Sequence, residues 1–158
     1  MRQRIAALLG TFVAVIAGLI AFSVPAHAAN ENGHCETGEM CMWQNTWHSA
    51  GVYDSFYSIA NLTTKVFIRN CGTDCSVDDN VSSLRNYDAG KYVRTWQHAN
   101  FSGGLFTRKW ANGPDELDAA MDLTIDKFNN GLVVNDKITS FCFVYETSPH
   151  RQCRGISR

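Results

Sequence analysis

Short apolar runs separated by polar turn residues dominate the chain from Met40 onward. Residues 91–96 alternate between polar and apolar side chains, which is typical of a half-exposed strand. Residues 138–145 are rich in β-branched and aromatic side chains, which predicts a buried strand. Because Gly, Asn, Asp and Ser cluster between such runs, the pattern predicts a many-stranded antiparallel fold.

One segment has helical rather than strand periodicity. Pro114 stands at its start, acidic residues fill the first turn, and an apolar residue recurs every four positions along one face. Residues 129–131 follow with turn chemistry. We therefore predict one short helix or helical loop between Asp115 and Lys127, inside an otherwise all-β domain.

The first 28 residues have the three parts of a secretory signal. Arg2 and Arg4 form a positive region, residues 5–24 are apolar, and residues 26–28 supply the small side chains that signal peptidase reads. The apolar run is long enough to span a bilayer, so a retained membrane anchor is the alternative. The small-residue exit favours cleavage, which predicts a secreted, extracellular protein with no membrane contact once residues 1–28 are removed.

Without that signal the chain keeps 12 of its 14 basic residues and all 15 acidic ones, a net charge of −3. A nucleic-acid partner normally requires a basic face, so none is expected. We expect a flexible segment at residues 29–34, one β domain at 35–147 and a basic tail at 148–158. The protein is expected to be a monomer.

Six cysteines follow the export signal, and an even number in that setting indicates disulfide bonds. Six cysteines allow 15 pairings. The simplest scheme joins neighbours along the chain, as Cys35–Cys41, Cys71–Cys75 and Cys142–Cys153. Zinc is the alternative, but the sequence has no paired C-x2-C knuckles and no HExxH motif.

The chain also contains a duplicated unit. Trp96 is followed by Phe101 and Gly103, and residues 43–51 have a related arrangement with shifted spacing. Roughly 35 to 40 residues after each tryptophan comes the signature [N/D]-[N/D]-x-x-[S/T]-S, at residues 78–83 and 135–140. The sequence therefore predicts two copies of one structural motif.

Each signature concentrates the oxygen ligands that Ca²⁺ prefers, and it contains no sulfur or imidazole to favour a softer metal. The alternative is that the Asx and Ser side chains only form turns by accepting bonds from nearby backbone N–H groups. Two copies, each placed before an apolar strand and after an aromatic hairpin, favour cation binding.

At these residues the sequence resembles the βγ-crystallin superfamily, whose Greek-key motifs combine an aromatic-x4-[F/Y]-x-G hairpin with an N/D-N/D-x-x-S/T-S loop. The resemblance implies a β-sandwich of two Greek-key motifs, here at residues 40–90 and 91–146. Because Trp43 and Trp47 depart from the family spacing, we expect the first hairpin to be distorted.

In that family, calcium is held by the third and fifth positions of the loops and by a hairpin carbonyl. Lys137 offers only its backbone carbonyl, so its site is the weaker one. The candidate ligands implied for this chain are Asn80, Ser82, Lys137 and Thr139, with Asp79 and Asp136 beside them and a carbonyl near Gln44 or Gln97.

A narrower resemblance rests on the export signal, the spacing C-x2-G-x2-C-x-W from Cys35 to Trp43, and the second loop signature. Together they are similar to the secreted bacterial peptidase inhibitors of family thirty-six, which block thermolysin-type metalloproteinases. A small disulfide-closed loop serves there as a rigid pseudo-substrate with little entropy left to lose on docking. The candidate loop here consists of Cys71, Gly72, Thr73, Asp74 and Cys75.

Thermolysin-like enzymes prefer a bulky apolar residue after the scissile bond, and neither Gly72 nor Asp74 supplies one. The alternative is that this disulfide only pins a Greek-key loop. The predicted function is therefore inhibition of an extracellular protease, with a non-inhibitory calcium-binding module as the alternative.

No enzymatic activity is predicted, because no motif joins the scattered residues His34, His48, His98 and His150 to a nucleophile. The aromatic side chains are expected to fill the core, although an exposed Trp47 or Trp110 would form a contact surface.

Overall fold

The computed structural model describes residues 30–108, 122–145 and 153. Every regular element in these ranges is a strand, namely β1 (Met40–Asn45), β2 (Ser49–Ser55), β3 (Ser83–Asn86), β4 (Lys91–His98), β5 (Ser102–Arg108) and β6 (Ser140–Tyr145). Within the same ranges no helix is long and apolar enough to cross a membrane. The predicted signal peptide, and the basic tail apart from Cys153, lie outside the described residues.

The six strands form two antiparallel sheets with the orders β2-β1-β3 and β5-β4-β6. The register of the β1–β2 hairpin shifts between Trp43 and Asn45, and that of the β4–β5 hairpin shifts between Trp96 and His98. Strand order and register shift are therefore the same in both halves. This repetition confirms the all-β, two-motif architecture.

Each half contributes a short segment that forms backbone hydrogen bonds with the other half. Ile59 of the first half forms a bridge with Phe141 of β6, through backbone hydrogen bonds of 2.9 and 3.0 Å. In return, the backbone N–H of Leu123 donates to the carbonyl oxygen of Ser82 at 3.0 Å, just before β3. Both sheets also contribute to one buried core, whose members include Met40, Met42, Tyr53, Leu84, Val93, Phe106 and Phe141.

The predicted helix is wrong over residues 122–127. The backbone N–H and the hydroxyl of Thr124 both donate to Asp122 Oδ1, at 2.9 and 2.5 Å. Lys127 then forms a bridge with Val133. A side chain that binds the backbone locally competes with helical hydrogen bonds, which is why this segment turns. The first part of the predicted helix lies outside the described residues.

All six cysteines are paired in the simplest of the predicted schemes. The bonds are Cys35–Cys41, Cys71–Cys75 and Cys142–Cys153, with Cα–Cα distances of 6.0, 5.1 and 5.6 Å. Because no cysteine is free, none is left to bind zinc as a thiolate.

Candidate functional site

The second aromatic hairpin is fastened to the serine that ends the second loop signature. The Trp96 and Phe101 rings meet edge to face, with centroids 5.3 Å apart. Ser140 Oγ donates to the carbonyl oxygen of His98 at 2.7 Å and accepts from the N–H of Phe101 at 3.2 Å. One hydroxyl therefore closes the hairpin and positions the loop beside it.

The first hairpin has the same pair of serine hydrogen bonds. Ser83 Oγ donates to the carbonyl oxygen of Asn45 at 2.6 Å and accepts from the N–H of His48 at 3.1 Å. The His48 imidazole stacks on Trp43 with a centroid distance of 4.2 Å, in the role that Phe101 has in the second hairpin.

The expected distortion of the first hairpin is therefore wrong, because the aromatic partner of Trp43 is a histidine. Ala50, with φ of 64°, takes the place that Gly103, with φ of 80°, has in the second hairpin. Trp47 is not part of the aromatic pair and is 65% exposed, so its expected place in the core is wrong as well. Trp110 lies outside the described residues.

The two loop signatures meet across the interface between the motifs. Ser82 Oγ donates to Asp136 Oδ1 at 3.2 Å, and Thr139 Oγ1 donates to Asp79 Oδ1 at 3.3 Å. The second-position acid of each loop thus contacts the fifth-position hydroxyl of the other. Backbone hydrogen bonds join the loops with the same symmetry.

The third-position residues are placed differently. Asn80 Nδ2 donates to the carbonyl oxygen of Ser76 at 3.2 Å within its own loop, while Lys137 is exposed. The hairpin carbonyls of Trp43 and Trp96 accept from the N–H groups of the fifth-position residues, each at 3.0 Å.

The first positions hold oxygens that the sequence analysis missed. Asp78 Oδ1 and Asn135 Oδ1 are both buried, and neither has a hydrogen-bond partner among the described residues. Asp78 and Asn135 both occupy the first position of their signature, and this equivalence could have identified them from the sequence. Buried oxygen atoms nearly always accept a hydrogen bond. This symmetric pair of unpartnered oxygens is therefore suited to bind a cation.

The electrostatics of the two loop contacts are not equal. Burial raises the pKa of the Asp79 carboxyl, and the neighbouring charge of Asp78 adds to the increase. The hydrogen bond from Thr139 and the positive charges of Lys137 and His98 act in the opposite direction. The Lys137 ammonium group therefore lies within electrostatic reach of the Asp79–Thr139 contact, which weakens this contact as a cation site.

The disulfide loop is an insertion relative to the second motif. A backbone hydrogen bond joins Phe67 N to Cys75 O at 2.7 Å in the first motif, and the equivalent bond joins Phe128 N to Leu132 O at 2.9 Å. The first pair is eight positions apart and the second only four. The four additional residues enlarge a tight turn into the loop that the Cys71–Cys75 bond closes.

That loop is anchored to the first sheet. Gln44 Nε2 donates to the carbonyl oxygen of Asp74 at 2.7 Å, and the Ser76 N–H donates to Asp74 Oδ1 at 2.9 Å. Cys71 packs on Gly51 of β2 so closely that a Cβ on the glycine would lie 2.8 Å from Cys71 Cβ. The three residues between the cysteines are exposed, so the loop is both fixed and accessible.

The histidines have separate surroundings. His34 Nε2 lies 2.5 Å from Arg69 Nη2, and the His98 ring covers Gly103. Burial lowers the pKa of His48, with a smaller contribution from the charge of Arg85 and an opposing one from a backbone hydrogen bond. Among the described residues, no three His, Cys, Asp or Glu side chains are grouped as metal ligands. His150 lies outside them.

The model of peptidase inhibitor family I36 matches residues 28–107. This chain belongs to that family. Its membership indicates a protease partner and a non-catalytic role. No match was found among curated protein sequences.

Solved structures similar to this member of family I36 include βγ-crystallin domains. One, from work on the evolution of the eye lens βγ-crystallin domain fold, has 15% identity and a TM-score of 0.50, covering 75% of this chain and 92% of that one. A βγ-crystallin domain from Clostridium beijerinckii has 17% identity and a TM-score of 0.45, covering 67% and 95%. Spherulin 3a from Physarum polycephalum has 16% identity and a TM-score of 0.45, covering 73% and 91%. The first similarity confirms the predicted βγ-crystallin fold.

Proposed function

We propose that this chain is a secreted inhibitor of extracellular metalloproteinases that presents the loop between Cys71 and Cys75 to its target. Family membership supports a protease as partner. The observation that carries the loop assignment is the four-residue insertion, since it is the disulfide-closed feature by which the first motif departs from the second.

The anchoring of the loop suits a pseudo-substrate. Its ends are held by the Phe67–Cys75 hydrogen bond and by the disulfide, and its middle by Gln44. A segment fixed before docking loses little conformational entropy on binding. If its peptide bond were cut, the same contacts would keep both new ends in place. Thr73 is the central exposed residue and is the side chain offered to the target.

The direct test is titration of the purified, oxidised protein against thermolysin-type, serine and cysteine proteases. We expect inhibition of the thermolysin-type enzyme, and an inhibition constant raised at least about tenfold when both Cys71 and Cys75 are replaced by Ser. Replacing Cys142 and Cys153 by Ser removes a disulfide elsewhere and is the matched control, which should still inhibit. Failure of the wild-type protein to slow any of these proteases would overturn the proposal.

A second function, calcium binding, is favoured by the symmetric loop contacts. The donors there are carboxylate, amide, hydroxyl and carbonyl oxygens, which fit Ca²⁺, and the unpartnered Oδ1 atoms of Asp78 and Asn135 face no competing donor in the described residues. Calcium would add a structural cross-link between the motifs. The Ser82–Asp136 side is the stronger of the two, because the positive charge of Lys137 acts on the Asp79–Thr139 side.

Secretion is part of the proposal. Three disulfide bonds suit an oxidising compartment, and so does the predicted signal at residues 1–28. Amino-terminal sequencing of protein recovered from the culture medium is expected to begin at Ala29. Recovery of the whole chain in the membrane fraction would contradict this prediction.

A further inference from the structure

Trp47 is a large aromatic side chain that the fold leaves in solvent. It stands at the tip of the β1–β2 hairpin and is 65% exposed, whereas Trp43 on β1 is 9% exposed. A single exposed apolar residue is ordinary in a folded protein. Trp47 is distinguished by its backbone conformation and by its position.

The backbone of Trp47 is left-handed, with φ of 59°. Bulky residues are disfavoured in that region, while Asn tolerates it. The equivalent position in the second hairpin is Asn100, with φ of 57°. The hairpin therefore forms equally well with Asn, and the tryptophan fills no space that this fold requires.

Trp47 is also close to the disulfide loop. Gln44, three residues before it, donates to the carbonyl oxygen of Asp74, and Gly51, four residues after it, contacts Cys71. Three residues of extended chain span at most about 11 Å. A protein interface of ordinary size covers about 800 Å² on each partner, so a protease seated on the loop would also cover the hairpin tip.

We infer that Trp47 is the aromatic anchor of the protease-docking surface, and that it binds an apolar pocket on the protease outside the active-site cleft. The inference rests on the proposed inhibitory function. Tryptophan is enriched among the residues that dominate binding energy, because it offers a large rigid surface with few rotatable bonds. The disulfide loop enters the active-site cleft of the protease and supplies the substrate-like backbone. Trp47 supplies apolar contact area that a loop of small and polar residues lacks.

The test compares Trp47→Asn with Tyr57→Ala in the full, oxidised protein. The first change introduces the residue that the second hairpin already uses at this position. Tyr57 is a matched control, because it is 52% exposed but lies beyond the opposite end of the seven-residue strand β2. Melting temperature and the inhibition constant for the thermolysin-type protease are measured for each protein.

We expect Trp47→Asn to melt at or above the temperature of the wild type and to raise the inhibition constant at least about tenfold. Tyr57→Ala should change the inhibition constant less than about twofold. If Trp47→Asn inhibits as tightly as the wild type, Trp47 is not the docking anchor, and the proposed inhibitory function is unaffected. A wild-type protein that inhibits no protease would overturn both.

Discussion

The hydroxyl oxygen of Ser82 lies 3.2 Å from the carboxylate oxygen Oδ1 of Asp136, 54 positions along the chain. Thr139 and Asp79 form the symmetric contact at 3.3 Å. Because each contact joins the two motifs, the oxygen donors come together only when the whole domain has folded. An ion held there would bind the folded state and not the unfolded chain, and so it would stabilise the fold by mass action.

Calcium is therefore expected to raise the melting temperature. Extracellular calcium modules bind with dissociation constants of roughly 0.1 to 1 mM, so 10 mM Ca²⁺ would add about 1.4 to 2.7 kcal/mol to the free energy of unfolding. Calorimetry with Ca²⁺, with Mg²⁺ as the control ion, measures the shift. Ser82→Ala should lose more of the shift than Thr139→Ala, which lies on the side that Lys137 weakens. Equal shifts in the wild type, Ser82→Ala and Thr139→Ala would show that calcium does not bind at these loop contacts.

The pH dependence of stability is expected to follow Glu39. This side chain is completely buried, and its Oε2 accepts from the N–H of Glu36 at 2.7 Å. Burial, with smaller contributions from the charges of Asp54 and Glu36, raises the pKa of its carboxyl from 4.5 to about 7. Its contribution to stability is therefore full below pH 4.5 and is lost as the pH rises through about 7.

Urea denaturation between pH 5 and pH 8 tests this dependence. The free energy of unfolding should fall over that range in the wild type, because an ionised Glu39 is unfavourable in the buried site. Glu39→Gln keeps the shape of the side chain without the titration, so its profile should be flatter. A slope in Glu39→Gln equal to that of the wild type would show that another group is responsible.

Gly51→Ala is expected to damage inhibition more than stability alone explains. The added Cβ would lie 2.7 Å from Phe67 Cβ and 2.8 Å from Cys71 Cβ, so the disulfide loop must move. Overpacking of this kind costs about 1–3 kcal/mol. The matched control is Gly104→Ala, where the added Cβ would lie 2.8 Å from Phe128 Cβ in the motif without the disulfide loop.

Both glycine variants should lose comparable stability in urea denaturation. Only Gly51→Ala should weaken inhibition of the thermolysin-type protease, because only its site supports the loop. Equal inhibition by the two variants would mean that the loop is not the docking element.

Ala50→Gly is expected to stabilise the protein by roughly 0.5–1 kcal/mol. Ala50 has φ of 64°, a conformation that costs an L-residue energy and costs glycine none. The greater flexibility of glycine in the unfolded chain offsets part of the gain. Thermal and urea denaturation measure the change, and a less stable variant would show that the alanine methyl group makes a packing contact worth more than the backbone strain.

The strands, the disulfides and the duplication were accessible from sequence because they depend on local pattern. Alternating side chains gave β4, and neighbouring cysteines gave the pairing. The contacts between the loops were less accessible. Ser82 meets Asp136 only because the two motifs pack against each other, and no local pattern in the sequence specifies which positions come into contact.

His48 shows a second limit of sequence reasoning. The family pattern has phenylalanine or tyrosine opposite the tryptophan, whereas here a histidine packs on Trp43. It has glycine two positions later, whereas here Ala50 adopts the left-handed conformation. The hairpin is defined by backbone torsion angles and by the Ser83 hydroxyl, which several residue types can satisfy. The helix prediction failed at residues 122–127 for the opposite reason, since apolar spacing was present but the Asp122 side chain bound the backbone.

The backbone contacts that Ile59 and Leu123 make with the opposite half have a consequence for how such a domain can originate. A chain with a single motif would leave the backbone groups of these contacts without their partners, which a second copy could supply. Its folding would then depend on concentration. Fusing the two copies in one chain makes the partner permanently available, so the duplicated protein keeps its fold at any dilution.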